Sequence, residues 1–244
     1  MEPYENIVIG NFLYSFGLAI GQVSTADVRP MCINLLQQTP IDRALGDLMF
    51  ANAGVTRLLE FKRSRNDSDK EETKRTILSR VLAGDTYMQA ISREIHWYIE
   101  TSEDVASLVS RVVPYLDFAE KKVIGTTIEK FTNAAALDAV SMEIDAETRA
   151  AYEKYVNLVA VSHGGLQGAS GGLIVNYTKE HGIRYVPVSD IRDLLLNHRL
   201  VREVYFERMQ EKAIERDREN AVMARSRGKS LTREIERDGP TYER

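Results

Sequence analysis

Apolar positions along the chain fall into runs of different period. Residues Ile7 to Ile20 are apolar with a mixed period and predict a helix or a buried element. Met31 to Gln37 is a short apolar run that predicts a strand, and Thr39-Pro40 punctuates the chain after it. Two further runs, Ala44 to Phe50 and Val55 to Phe61, flank Ala51-Asn52-Ala53-Gly54. Short runs rich in Val, Leu and Phe around such a turn predict a β-hairpin, with Gly54 supplying a left-handed conformation. Asn66 to Lys70 is a polar break. Lys70 to Leu82 then predicts a helix with Ile77, Val81 and Leu82 as its apolar side. His96 to Glu100 is aromatic and β-prone and predicts a strand. Asp104 to Phe118, Val123 to Leu137 and Ala146 to Val161 predict helices. After the glycine-rich Gly164 to Gly172, the runs Leu173 to Tyr177 and Ile183 to Val188 predict a second hairpin through Thr178 to Gly182. From Asp190 a helix is expected, capped by Ser189 or Asp190, with a stripe of Ile191, Leu194, Leu195, Val201, Tyr205 and Met209. Glu215 to Arg244 is nearly all charge. It reads as a solvated helix end passing into disorder, or as a helix that binds a partner.

Composition narrows the class. The 244 residues are 43% hydrophobic and 28% charged, enough for a real core. With one cysteine, Cys32, there is neither an intramolecular disulfide nor a cysteine-rich zinc site. Ile7 to Ile20 is interrupted by Gly10, Asn11, Ser15 and Gly17 and preceded by Glu2 and Glu5, unlike a secretory leader. A soluble protein of the cytoplasm without a membrane partner is expected. The net charge of −4 does not by itself point to nucleic acid. The stretch from Arg57 to Arg80 is nevertheless locally basic, through Arg57, Lys62, Arg63, Arg65, Lys70, Lys74, Arg75 and Arg80. Local patches rather than totals attract phosphates.

Within the first hairpin, Asp47, Glu60 and Lys62 stand among apolar neighbours. Charge inside a strand is costly unless it is paired or binds metal. If the hairpin turns about the Ala53-Gly54 bond, the numbers of facing residues sum to 107, and Asp47 lies opposite Glu60. Facing residues have Cβ atoms about 4.5–5.5 Å apart, so two carboxylates there repel each other unless a cation intervenes. Oxygen ligands suit Mg²⁺ or Mn²⁺. Strand alternation puts Glu60 and Lys62 on one face and Leu59 and Phe61 on the other. The competing explanation is a structural Asp47–Lys62 or Glu60–Lys62 ion pair at a sheet edge.

The segment Gly46-Asp47-Leu48-Met49-Phe50 followed by Leu58-Leu59-Glu60-Phe61-Lys62 resembles the PD-(D/E)xK nuclease superfamily. An acid opens one strand, and Glu-x-Lys lies on the next after a glycine-containing turn. The match covers about 20 of the 244 residues, and the helix–hairpin–helix–strand order from Ile7 to Glu100 is compatible with it. The proline of the motif is missing before Asp47. Pro40-Ile41-Asp42 offers another acid, placed too early to face Glu60 in a tight hairpin.

The resemblance implies a Mg²⁺- or Mn²⁺-dependent nuclease acting on DNA rather than RNA. Asp47, Glu60 and the Phe61 carbonyl would hold the metal, and Lys62 would orient the attacking water or stabilise the transition state. Arg63 and Arg65 would contact flanking phosphates, and Glu5 would add an acid from the first helix. Small nucleases of this kind often act beside other subunits in defence against foreign DNA or in repair. The acidic total charge suggests that a protein partner or a second copy supplies affinity. A catalytically inactive nuclease-fold subunit, used as a nucleic-acid-binding or protein-interaction scaffold, is the rival expectation.

The implied fold is α/β. It has a restriction-endonuclease-like core, a mixed sheet with flanking helices, plus further helices, a second C-terminal hairpin and a long charged C-terminal helix. Residues 1–103 would form the core with its catalytic hairpin, 104–214 a helical and hairpin extension packed on it, and 215–244 a charged, partly disordered tail. Gly168-Ala169-Ser170-Gly171-Gly172 fits the hydrolase pattern G-x-S-x-G, with Asp190 and His198 following. The predicted elements around it are in the wrong order, since a strand must precede the serine and a helix follow it. His96, His163, His181 and His198 have no metal-ligand spacing, and Trp97 and Tyr98 suit either core packing or base stacking.

Overall fold

A computed structural model describes residues 3–25, 28–36, 45–65, 69–104, 107–163, 172–179 and 182–188. All belong to one compact unit, Met1–His198. Asp42, Ser170 and the whole stretch from Ser189, with its expected helix and tail, lie outside the described residues.

The chain is α/β. Helix α1 (Glu5–Val23) leads into strands β1 (Val28–Leu35), β2 (Leu48–Ala51) and β3 (Thr56–Arg63). Helices α2 (Asp69–Val81) and α3 (Thr86–Ile95) follow, then strands β4 (His96–Asp104) and β5 (Ser107–Pro114). A 3₁₀ turn at Tyr115–Asp117 precedes α4 (Ile128–Ser141) and α5 (Ala146–Ser162), and the chain then forms β6 (Gly172–Thr178) and β7 (Gly182–Val188). The seven strands make one mixed sheet in the order β5-β4-β3-β2-β1-β6-β7. Among the described strands only β3 and β4 pair in parallel, and the connection between them contains the helices α2 and α3. That connection is required, because parallel neighbours cannot be joined by a tight turn. The boundary expected at 103/104 falls at the end of β4, and β5, β6 and β7 all join the sheet of the expected core.

One face of the sheet carries the main core. Phe50 from β2, Leu59 and Phe61 from β3, Ile99 from β4 and Val112 from β5 meet α1 and α4 there. Aromatic rings fill the gap. Phe16 lies 4.6 Å from Phe50, and Phe12 lies 5.8 Å from Phe61 and 6.3 Å from Phe131. By length and composition α1 would suffice to cross a bilayer, but Val8, Ile9, Phe12, Phe16, Ala19 and Ile20 are buried in this core. The opposite face meets α2, α3 and α5 through polar ties. The Tyr155 hydroxyl bonds to Ser92 and to His96 Nδ1, and Tyr115 donates to Glu71.

Two expectations need correction, and one element is new. Asp104 to Phe118 is not a helix: β5 pairs antiparallel with β4 from Trp97↔Pro114 to Asp104↔Ser107. Leu108, Val109, Val112, Val113 and Leu116 repeat with a helical period, yet the β-branched valines and the waiting edge of β4 decide for strand. The helix expected from Val123 begins only at Ile128, capped by Thr127. A Cβ on the preceding Gly125 would lie 2.8 Å from the Val112 carbonyl. Helix α3 is an addition. Its cap Asp85 accepts from the Met88 amide, and Met88, Ile91 and Ile95 form its buried side.

Candidate active site

The site is built on the β2–β3 hairpin. Its register is Leu48↔Leu59, Met49↔Leu58, Phe50↔Arg57 and Ala51↔Thr56, the alignment expected from the sequence. The turn is held by Asn52. Its side-chain oxygen accepts from the Gly54 and Val55 amides at 2.8 and 3.0 Å, and its amide group donates to the Ala139 carbonyl of α4. Gly54 has no left-handed backbone. Glycine is needed there because a Cβ would lie 2.4 Å from the Asp138 carbonyl oxygen.

The regular ladder ends at Leu48↔Leu59, and Asp47 and Glu60 are the residues just beyond it. The Asp47 amide donates to the Leu59 carbonyl at 3.0 Å, and its carbonyl accepts from Leu36 at 2.8 Å. Gly46, at φ +103°, gives the chain the backbone that brings Asp47 to this place. A Cβ on Gly46 would meet Glu60 Oε2 and the Leu59 carbonyl oxygen, each at 3.1 Å. Asp47 is 5% exposed and Glu60 4%. Asp47 Oδ2 accepts from the Phe61 amide at 2.7 Å. Within a strand, the N–H and C=O of one residue point to the same side, so the Phe61 carbonyl also faces the Asp47 side of β3.

Lys62 closes the group. Its ammonium lies 2.6 Å from Glu60 Oε1 and 3.9 Å from Glu5 Oε2, while Glu5 Oε1 accepts from the Arg63 amide at 3.4 Å. Glu5 therefore reaches the site from the first turn of α1. The expected Glu60–Lys62 ion pair is present, but in the middle of the sheet rather than at its edge. Arg63 spreads over the Tyr4 ring at 4.9 Å. Arg65 is exposed just past the strand.

The electrostatics follow from burial. Burial pushes the Glu60 carboxyl up to about 8, and the Asp47 charge adds to this. Burial disfavours the Lys62 ammonium, yet Glu60 and Asp47 outweigh that and hold its pKa above the ordinary lysine value. Lys62 is therefore charged across the physiological range.

A second pair lies beside the first and was not anticipated. Glu71 of α2 is buried, with one carboxylate oxygen 2.7 Å from Lys74 and the other accepting from Tyr115. Its charge raises Glu60, while Lys74 lowers it. The sequence reading buried Ile77 and Val81, which are 37% and 47% exposed. The buried side of α2 is instead Glu71 and Leu78, and the i, i+3, i+7 spacing of Glu71, Lys74 and Leu78 is the signal that marks it.

Two carboxylates and a backbone carbonyl are hard oxygen donors, and their donor chemistry fits Mg²⁺ or Mn²⁺. The high proton affinity of Glu60 comes first from burial and then from the Asp47 and Glu71 charges, and a cation would offset those charges. Among the described residues no group of three or more His, Cys, Asp or Glu side chains is gathered for a metal. His96 is a packed imidazole. It stacks 4.0 Å from Tyr115, and burial drives its pKa well below the ordinary histidine value. Trp97 packs on Phe131, and Tyr98 stacks 4.2 Å from Phe118. Cys32 is buried, which pushes its thiol up to about 12. No family model, curated protein or solved structure matches the chain.

Proposed function

We propose that this protein is a metal-dependent nuclease that hydrolyses phosphodiester bonds of DNA on a restriction-endonuclease-like core. One observation carries the reading: Asp47 and Glu60 lie buried just beyond the last pair of the hairpin ladder, where Asp47 accepts from the Phe61 amide and the Lys62 ammonium pairs with Glu60. The element order supports it too, since α1, antiparallel β1–β2–β3, two helices and a parallel β4 extend the order on which the resemblance rests.

Asp47, Glu60 and the Phe61 carbonyl would hold Mg²⁺ or Mn²⁺, which when bound lowers the pKa of a coordinated water and offsets charge on the scissile phosphate. Lys62 keeps its proton, so it would act as a donor that orients the attacking water and stabilises negative charge on the phosphoryl oxygens. Glu5 steadies Lys62 from α1. Arg63, the last residue of β3, and Arg65, two residues beyond it, would meet flanking phosphates. A protein partner or a second copy would supplement affinity, in keeping with the net charge of −4 and with work inside a defence or repair complex.

The test is cleavage of labelled DNA by the purified chain with Mg²⁺ or Mn²⁺. Lys62→Ala and Glu60→Ala lower the rate at least 100-fold (about 2.7 kcal/mol) while the circular dichroism spectrum is kept. Activity surviving in Asp47→Ala and Glu60→Ala refutes the assignment. The 2.6 Å Glu60–Lys62 contact, which satisfies the carboxylate without metal, favours a second reading as an inactive scaffold subunit. Under that reading neither cation raises the melting temperature and no nucleic acid is cut.

A further inference from the structure

Lys62 is the member of the buried group that meets the outside. A cleft of about 700 Å³ is lined by Lys62 and Glu71 but by neither Asp47 nor Glu60. The Lys62 ammonium holds Glu60 Oε1 at 2.6 Å. The other oxygen, Oε2, faces Gly46, where an added Cβ would lie 3.1 Å from it. A divalent ion and an ammonium on one carboxylate repel each other at such short range. Lys62 must therefore give way when Glu60 turns to a cation, and some other group must receive it. Glu71 is already engaged, with one oxygen 2.7 Å from Lys74 and the other accepting from Tyr115 at 2.9 Å. Glu5 is better placed. Its Oε2 lies 3.9 Å from the Lys62 ammonium, and its Oε1 accepts from the Arg63 amide at 3.4 Å, which turns the carboxylate toward Lys62. A charge-assisted N–H···O contact is about 2.8 Å long, so a shift of roughly 1 Å completes the new pair. The flexible four-carbon stem of lysine absorbs that shift without moving the strand.

We infer that Lys62 is passed between two carboxylates: it holds Glu60 while no cation is bound and moves to Glu5 when one is. The inference rests on the nuclease reading and deepens it, since it names how the same site is regulated. Glu5 is then a positioning residue that acts through Lys62, and not a ligand. The Lys62 and Glu5 side chains are 14% and 21% exposed, so their pairing is only weakly screened by solvent. The 2.6 Å contact between Lys62 and Glu60 is a resting state, which a site capable of turnover also shows.

The test is a double-mutant cycle on Mg²⁺ binding, read by calorimetry in the full chain, Glu5→Gln, Lys62→Met and the double variant, with cleavage of labelled DNA measured alongside. Glu5→Gln weakens Mg²⁺ binding about 5-fold or more, because the displaced ammonium has lost its receiver. In the Lys62→Met background the same change alters affinity by less than about twofold, since no ammonium needs receiving. Lys62→Met itself still binds Mg²⁺. Lys62→Gln, which can hydrogen-bond to Glu60 without the charge, takes its place should Lys62→Met not fold. A purely structural role for Glu5 would lower the melting temperature in both backgrounds without making the Mg²⁺ effect depend on Lys62. Equal weakening in both backgrounds means that Glu5 acts on the cation directly; it overturns the exchange and leaves the nuclease reading standing. Glu5→Gln without effect in either background, or loss of Mg²⁺ binding with the Lys62 charge, overturns the exchange as well. The expected coupling without DNA cleavage by the wild type keeps the exchange and overturns the nuclease reading, whereas a folded wild type that binds no Mg²⁺ overturns both.

Discussion

Replacing Gly46 with alanine probes the backbone on which the site depends. At φ +103° an L-residue sits beyond the left-handed well, which costs about 1–3 kcal/mol. The added Cβ would also lie 3.1 Å from Glu60 Oε2 and from the Leu59 carbonyl oxygen, so β3 must yield by a few tenths of an ångström. Gly84→Ala separates the two costs, because Gly84 has φ +85° but nothing within 4 Å of its would-be Cβ. Gly84→Ala is expected to cost about 1–2 kcal/mol through strain alone. Gly46→Ala adds crowding and reaches about 2–4 kcal/mol, or roughly 5–15 °C in melting temperature for a chain of this size. Differential scanning calorimetry with EDTA and with Mg²⁺ reads both effects. Because the new methyl presses on Glu60, the Mg²⁺-induced rise is lost in Gly46→Ala and kept in Gly84→Ala. A Gly46→Ala protein as stable as Gly84→Ala, with the full Mg²⁺ response, would refute the reasoning.

Three further outcomes follow from the same geometry. Glu60 titrates near 8, so between pH 6 and 8 a cation must displace its proton; Mg²⁺ affinity rises up to about tenfold per pH unit and levels above 8, read by calorimetry in two buffers of different ionisation enthalpy. Buried His96 stays neutral while the unfolded chain binds a proton near pH 6.5, so stability falls by up to about 1.4 kcal/mol per unit below that pH. Urea unfolding at pH 7.5, 6.5 and 5.5 shows a shallower loss in His96→Gln. Asn52→Ala removes three hydrogen bonds at the turn and costs about 2–4 kcal/mol by urea unfolding, since it orphans buried amides and the Ala139 carbonyl.

The hairpin was legible because period-2 alternation and a short turn fix a register by themselves, and Asp47, Glu60 and Lys62 stood out as charges among hydrophobes. Residues 107–114 were not, because a doublet pattern of valines serves helix and strand alike until β4 offers its edge. Glu71 was hidden for a different reason. A carboxylate is buried only where partners neutralise it, and one of those partners, Tyr115, lies 44 residues further along the chain. Gly54 was singled out correctly as special but for the wrong cause, since the carbonyls that exclude a side chain belong to Asp138 in the distant α4 and to its cap Met142.

Strand β3 wears two independent surfaces. Its Leu59 and Phe61 side chains join the main core, and its Glu60 and Lys62 side chains pair on the other face, where the proposed chemistry would lie. Evolution can therefore edit one without dismantling the other. On the proposed reading, a lineage that trades away Glu60 would keep its architecture and lose the proposed turnover, so that an active and an inactive form would stand a single codon apart.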